Sequence, residues 1–229
     1  MLIPSIDLMG GKIVQLVQGE KKALEFDDFE EWIARFARFP LVQLIDLDAA
    51  IGTGDNRGLL KKFTGRLPCQ VGGGIRSLEG GSAVLARGAR RIILGSVLVK
   101  DGSVDTAMAR RFAQEVGPER LTFAVDSKNA YVAIKGWREI TPIRASEMIR
   151  ELENYCSAFL YTNIDTEGLL QGFPLDVAQR LRGLTKKQLM VAGGIRSQEE
   201  VDALDALGVD AVVGMAIYTG KMNLNAIRK

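Results

Sequence analysis

The feature that most constrains this 229-residue chain is an internal repeat that covers both of its halves. Residues 71–77 read VGGGIRS and residues 191–197 read VAGGIRS. A repeat of this length is half of a domain rather than a solenoid unit, so one domain with half-barrels 1–118 and 119–229 is predicted. Matched carboxylates and glycines recur 117 to 120 residues apart: Asp7 with Asp126, Gly19 with Gly136, Asp48 with Asp165, Gly73 with Gly193, and Gly95 with Gly214.

Composition excludes several classes of protein. The net charge of +2 gives no general basic surface, so nucleic acid is not an expected partner. No apolar run approaches the ~20 residues of a membrane span, and the first residues do not resemble a signal peptide. Cys69 and Cys156 lie in apolar runs, which indicates buried free thiols. A cytoplasmic protein without membrane association is expected, with a monomer as the default.

The chain contains no histidine. Ser-His-Asp and Cys-His nucleophile systems, HExxH zinc sites and histidine general bases are therefore all excluded. Any acid–base chemistry near neutral pH must use carboxylates, lysine, cysteine or tyrosine. Neither a metal site nor a cofactor is predicted.

The order of apolar runs and amphipathic stretches predicts the fold. Eight short runs are apolar throughout, as parallel strands covered on both faces are, and helical patterns lie between them. This alternation predicts an α/β protein, a single (β/α)8 TIM barrel with a two-fold half-barrel repeat. The predicted strands are 2–7, 42–48, 68–72, 91–95, 121–126, 158–163, 188–192 and 210–214, and the clearest helices are 29–39, 77–88, 103–116, 145–155 and 197–207.

Other local signals refine this prediction. Ser77 and Ser197 each precede a helical stretch and are predicted N-caps. Segments 10–19 and 127–137 are each predicted to form an extra strand pair over the barrel mouth. Residues 19–28, which show no apolar periodicity, are predicted to form a mobile loop.

Asp7 and Asp126 are the candidate catalytic residues. Each ends a predicted strand, and strands 1 and 5 of an eight-stranded barrel face each other across its mouth. A turn-capping role would explain one aspartate. A symmetric pair instead favours one acid and one base acting on a substrate between them.

Glycines at four other strand ends predict two phosphate sites. Glycine lets backbone N–H groups approach an oxyanion closely, and barrel phosphate sites commonly follow strands 7 and 8. The same pattern also follows strands 3 and 4, so a ligand with a phosphate at each end is predicted. The residues are Gly73, Gly74, Gly95 and Ser96 in the first half, and Gly193, Gly194, Gly214 and Met215 in the second.

Further possible substrate contacts carry less specific signals. The carboxylates Asp48 and Asp165 follow strands 2 and 6 and suit either ligand contact or local structure. Trp137 lies among polar residues, so its ring suits either a core position or stacking on a heterocycle. Arg76 and its counterpart Arg196 suit a phosphate contact or an ion pair. Gly19, in the first mouth segment, completes this set.

These motifs together resemble the phosphoribosylformimino-aminoimidazole-carboxamide ribotide (ProFAR) isomerase family of histidine biosynthesis. The resemblance covers the whole chain and is carried by IPSIDLMGGKIVQLVQG, IDLDAA, VGGGIRS, VDSKNAYVAIKGW, YTNIDTEGLLQG, VAGGIRS and VVGMAIYTG. It implies a cofactor-free Amadori rearrangement of a small molecule with two phosphates. By resemblance, Asp126 would protonate the furanose ring oxygen and Asp7 would remove the C2 proton.

The chain departs from the family pattern at several places. Gln15 stands where the family usually has arginine, Gly10 where an acidic residue is frequent, and Gln43 where histidine is common. Asn163 and Glu167 alter the family's TDI…DG pattern. Three alternatives stay open: a bifunctional isomerase that also accepts phosphoribosylanthranilate, the cyclase subunit of imidazole glycerol phosphate synthase, and a non-catalytic bis-phosphate binder.

Overall fold

The computed structural model describes residues 1–224, so residues 225–229 of the predicted second half lie outside the described residues. Eight parallel strands form a closed barrel, because the eighth strand pairs with the first and the fourth pairs with the fifth. The predicted (β/α)8 barrel is confirmed. Strands β1 to β8, in chain order, are Leu2–Met9, Val42–Asp46, Cys69–Gly72, Arg91–Leu94, Leu121–Lys128, Ala158–Asn163, Gln188–Ala192 and Asp210–Val213.

Helices follow the strands and pack outside the barrel. No helix in residues 1–224 is both long and apolar enough to cross a bilayer. Ser77 Oγ accepts a hydrogen bond from the Gly80 N–H at 3.1 Å, as predicted for an N-cap, and Ser197 holds the corresponding position in the second half. The α-helices are Phe29–Phe36, Leu47–Ile51, Arg57–Thr64, Leu78–Ala86, Thr106–Val116, Ala145–Leu152, Leu175–Arg182, Gln198–Ala206 and Met215–Tyr218.

Antiparallel strand pairs rise over the barrel mouth in both halves. In the first half, Lys12–Val17 continues from β1 and pairs with Lys21–Phe26, so the predicted loop 19–28 was wrong. Leu24 and Phe26 are half-buried on this strand, and Phe26 packs 5.2 Å from Trp32 between ring centroids. In the second half, Tyr131–Ile134 pairs with Glu139–Arg144, beyond the predicted segment.

Two apolar clusters stabilise the barrel. The larger one lies between the strands and the surrounding helices, and the smaller one fills the barrel interior with residues such as Ile3, Leu160 and Met190. Below it, Gln188 accepts a hydrogen bond from Arg91 (2.7 Å) and donates one to Asp210 (2.6 Å). Because these side chains fill the interior, the barrel is open at the carboxyl ends of its strands.

Candidate active site

A cavity of about 650 Å³ lies at the carboxyl ends of the strands. Every barrel strand or the turn directly after it contributes to the wall. Such a cavity is large enough for a drug-sized or sugar-phosphate ligand. Its walls therefore combine residues from both halves of the repeat.

Asp7 and Asp126 both line this cavity. They occupy inward-facing positions two residues before the ends of β1 and β5, which lie four strands apart in the barrel order. Burial raises the pKa of Asp7 to about 6, against a hydrogen bond of 3.3 Å from Ser5 Oγ that favours the carboxylate. Burial also raises the pKa of Asp126, while the Thr162 and Trp137 side chains oppose that shift by hydrogen bonding. The two carboxyls therefore titrate closer to neutral pH than free aspartate.

Glu20 and Glu167 are further carboxyls that line the cavity, and the sequence prediction included neither of them among the site residues. Burial raises the pKa of Glu167 to about 8, and the negative charges of Asp7 and Asp126 contribute to the same shift. Glu167 therefore holds a proton at neutral pH. The available signal was its position in the segment directly after strand β6, at the carboxyl-terminal end of the barrel where active-site residues lie.

Both predicted sets of phosphate-binding residues line the cavity. Gly73 has φ +99°, and a Cβ there would lie 2.1 Å from the Asp46 carbonyl oxygen. Gly193 has φ +110°, and its Cβ would lie 2.3 Å from the Asn163 carbonyl oxygen. Glycine is therefore required at these two positions by close backbone packing, in matching places in each half.

Gln15 lies beside one of the two glycine sets. Its side chain is buried, its Nε2 donates to the Val14 carbonyl at 2.8 Å, and its Oε1 would lie 2.6 Å from a Cβ at Gly214. A neutral carboxamide therefore occupies the edge of this site where the family usually has a guanidinium. The cationic side chains around the cavity come from Lys22, Arg76, Lys128 and Arg138 instead.

Asp48 and Asp165, two of the possible substrate contacts, are outside the set of residues that line the cavity. Asp48 Oδ2 accepts a hydrogen bond of 2.6 Å from the Gly10 N–H. Asp165 Oδ2 accepts one of 2.9 Å from the Asn129 N–H. Each carboxylate thus binds the turn after the neighbouring strand of its own half, which is a matched structural role in both halves.

Arg76 and Trp137 do line the cavity. Arg76 donates to the carbonyls of Ala49 (3.1 Å) and Ala50 (2.9 Å), whereas Arg196 pairs with Glu200 at 2.9 Å. Both arginines therefore have hydrogen-bond or ion-pair partners within the protein. Within residues 1–224, no group of three His, Cys, Asp or Glu side chains is placed to bind one metal ion.

Fold and site together define a class: a pseudo-symmetric (β/α)8 barrel with carboxyls at opposed strand ends and glycines at four others. The chain belongs to the histidine biosynthesis protein family, whose model matches residues 1–223. Its relatives include proteins named 1-(5-phosphoribosyl)-5-((5-phosphoribosylamino)methylideneamino)imidazole-4-carboxamide isomerase, the ProFAR isomerase.

Three of these relatives cover nearly the full chain. The protein of one Thermus thermophilus strain is 38% identical over an alignment of 230 positions, which covers 97% of this chain and 96% of that protein. That of Methanocaldococcus jannaschii is 36% identical over 231 residues, covering 98% and 96%. That of Methanothermobacter thermautotrophicus is 36% identical over 237 residues, covering 100% and 98%. The predicted family is confirmed.

Proposed function

We propose that this chain is a ProFAR isomerase, which converts an aminoaldose to an aminoketose by an Amadori rearrangement. The observation that carries the proposal is the cavity that joins Asp7 and Asp126 with both glycine sets. The full-length relatives named for this reaction support it. A substrate with a phosphate in each glycine set would place its ribose between the two aspartates.

The chemistry needs one acid and one base and no net oxidation. Asp126 donates a proton to the furanose oxygen, the C1–O bond breaks, and the glycosylamine nitrogen forms a protonated Schiff base. Asp7 then removes the C2 proton, and the released electron pair forms the C1–C2 double bond and neutralises the iminium nitrogen. The enolamine gains a proton at C1 and loses the hydroxyl proton at C2, which gives the ketose. A base with a pKa of about 6 is mostly ionised at neutral pH and still basic enough to act.

The phosphates are bound by backbone N–H groups of the two glycine sets, with help from the cations at the mouth. Asp48 and Asp165 support the site by holding the turns at Gly10 and Asn129 rather than by touching the substrate. Trp137 stacks on the heterocycle of the substrate. We further propose that the protein acts in the cytoplasm as a monomer.

A spectroscopic assay of the purified protein tests this proposal. Turnover of ProFAR alone is the expected result, and turnover of phosphoribosylanthranilate as well would identify a bifunctional enzyme. Ammonia-dependent consumption of the ketose product would identify a cyclase instead. No turnover of ProFAR, from a protein that binds it, would leave a non-catalytic bis-phosphate binder and refute the proposal.

A further inference from the structure

A chain of buried polar side chains crosses the barrel interior and ends on Asp7. Thr122 Oγ1 donates to Gln70 Oε1 at 3.3 Å, and Gln70 Nε2 donates to Gln43 Oε1 at 3.2 Å. Gln43 Nε2 donates to Ser5 Oγ at 3.3 Å, and Ser5 Oγ donates to Asp7 Oδ1 at 3.3 Å. The four side chains that lead to Asp7 are all buried, and two of them, Ser5 and Gln43, also border the cavity.

The direction of every bond in this chain is set by the charge on Asp7. An ionised carboxylate only accepts hydrogen bonds, so the Ser5 hydroxyl must donate to it. Ser5 has one proton to give, so the Gln43 amide must donate to Ser5 and turn its oxygen towards Gln70. The same reasoning orients Gln70 and then Thr122. The chain is therefore satisfied as a unit when Asp7 is ionised, and aligned hydrogen bonds reinforce one another.

The repeat shows that this chain is not a general feature of the barrel. At the positions that match Ser5, Gln43 and Gln70, the other half has apolar side chains. The matching residues are Ala124, 119 residues after Ser5, Leu160, 117 after Gln43, and Met190, 120 after Gln70; all three belong to the apolar cluster in the barrel interior. Polar residues therefore lie beneath Asp7 in the barrel interior, whereas apolar residues lie at the same level beneath Asp126.

We propose that Ser5, Gln43, Gln70 and Thr122 are positioning residues that hold Asp7 ionised and aimed into the cavity as the base of the reaction. The inference rests on the proposed function for its kinetic consequence, whereas the effect on the ionisation of Asp7 rests on the hydrogen-bond geometry.

Two other titratable groups face Asp7 and stay in place in the test. Glu167 approaches from the segment after β6, and Tyr218 approaches from the helix after β8, where its hydroxyl donates to the Ser5 carbonyl at 3.1 Å. Asp126 obtains its own donors from Thr162 and Trp137, which are outside the chain of polar side chains. Removing that chain therefore changes the surroundings of Asp7 and leaves those of Asp126 intact.

The test replaces each polar residue by the residue that the other half uses. The variants are Ser5→Ala, Gln43→Leu, Gln70→Met and the triple variant, with Ser5→Thr to restore the hydroxyl. We expect the acidic limb of the kcat–pH profile to shift upward by about one pH unit in Ser5→Ala and in the triple variant. One unit corresponds to about a tenfold loss of kcat on that limb, with recovery at mildly alkaline pH. KM should change little, and Ser5→Thr should regain the wild-type profile.

A direct titration separates failure of this inference from failure of the proposed function. The carboxyl carbon signals of ¹³C-labelled aspartate, assigned with Asp7→Asn and Asp126→Asn, report both carboxyls in the free protein without any substrate. Asp7 should titrate at a higher pH in Ser5→Ala, and Asp126 should not move. An unchanged Asp7 titration in folded Ser5→Ala and triple variants overturns the inference. So does an equal loss of kcat at all pH values, which is what a purely structural role produces.

Discussion

Gly19, in the first-half hairpin, lies directly against the ring of Trp137 in the second half: a Cβ at Gly19 would sit 2.6 Å from Trp137 Cε3. The two residues line the cavity and join the extra strands of the two halves across its mouth. The position of the ring depends on the absence of a side chain at residue 19.

Gly19→Ala should therefore displace the Trp137 ring and weaken substrate binding. We expect KM to rise several-fold with a smaller change in kcat. Gly10→Ala is a matched control, because both glycines have positive φ, but at Gly10 the structure of residues 1–224 has no atom within 4 Å of the added carbon. Equal KM values for the two variants would show that the contact with Trp137 does not govern binding.

Glu167 should make the stability of the protein decrease as the pH rises. Its pKa is raised from 4.5 to about 8 in the folded state, first by burial and then by Asp7 and Asp126. Between these pH values the folded protein keeps a proton that the unfolded chain has released. The free energy of unfolding then falls with pH, by at most about 1.4 kcal/mol per pH unit for one group.

Glu167→Gln removes this loss, so the variant should be more stable than the wild type at mildly alkaline pH. The advantage should shrink as the pH falls towards the ordinary pKa of glutamate. Urea unfolding at acidic, neutral and mildly alkaline pH measures it, with the exposed Glu151→Gln as the control. A stability difference that is independent of pH contradicts the protonated state assigned to Glu167.

Two glycines of the first-half phosphate set, Gly73 and Gly95, should differ in their tolerance of a methyl group. Gly73→Ala needs positive φ and places its Cβ 2.1 Å from a backbone oxygen, so a loss of several kcal/mol of stability is expected. At Gly95 the added carbon would make only an ordinary van der Waals contact, because it would lie 3.6 Å from Ala124 Cβ in the cavity wall. Gly95→Ala should therefore fold normally and raise KM, because its methyl group occupies ligand space. Similar unfolding midpoints for the two variants would overturn this distinction.

Much of the architecture follows from local sequence signals. Strands 158–163 and 188–192 were predicted to the residue because their apolar runs end at clear polar or glycine positions. The repeat then placed Asp7 and Asp126 on opposed strands. Strand β2 was predicted two residues too long because Asp48 looked like its end, whereas Asp46 caps the helix Leu47–Ile51.

Other features depend on contacts that no local pattern records. The strand Lys21–Phe26 begins with exposed residues, so its alternation is short, and its partner strand and the packing of Phe26 on Trp32 determine its conformation. The polar chain behind Asp7 comes from separate strands of the barrel. Pairing of β1 with β2 and of β2 with β3 sets Ser5, Gln43 and Gln70 side by side, and comparing inward positions between the two halves is the sequence signal that would have found the chain.

The most direct test of the account is the turnover of ProFAR by Asp7→Asn and Asp126→Asn, measured beside their affinity for it. Each substitution keeps the size of the side chain but removes its ability to exchange a proton. The account predicts a fall in kcat of about 10²–10⁴-fold for each variant with little change in Kd, while Asp176→Asn at an exposed position stays at the wild-type rate. A near-normal kcat in either cavity variant would contradict the opposed acid–base pair.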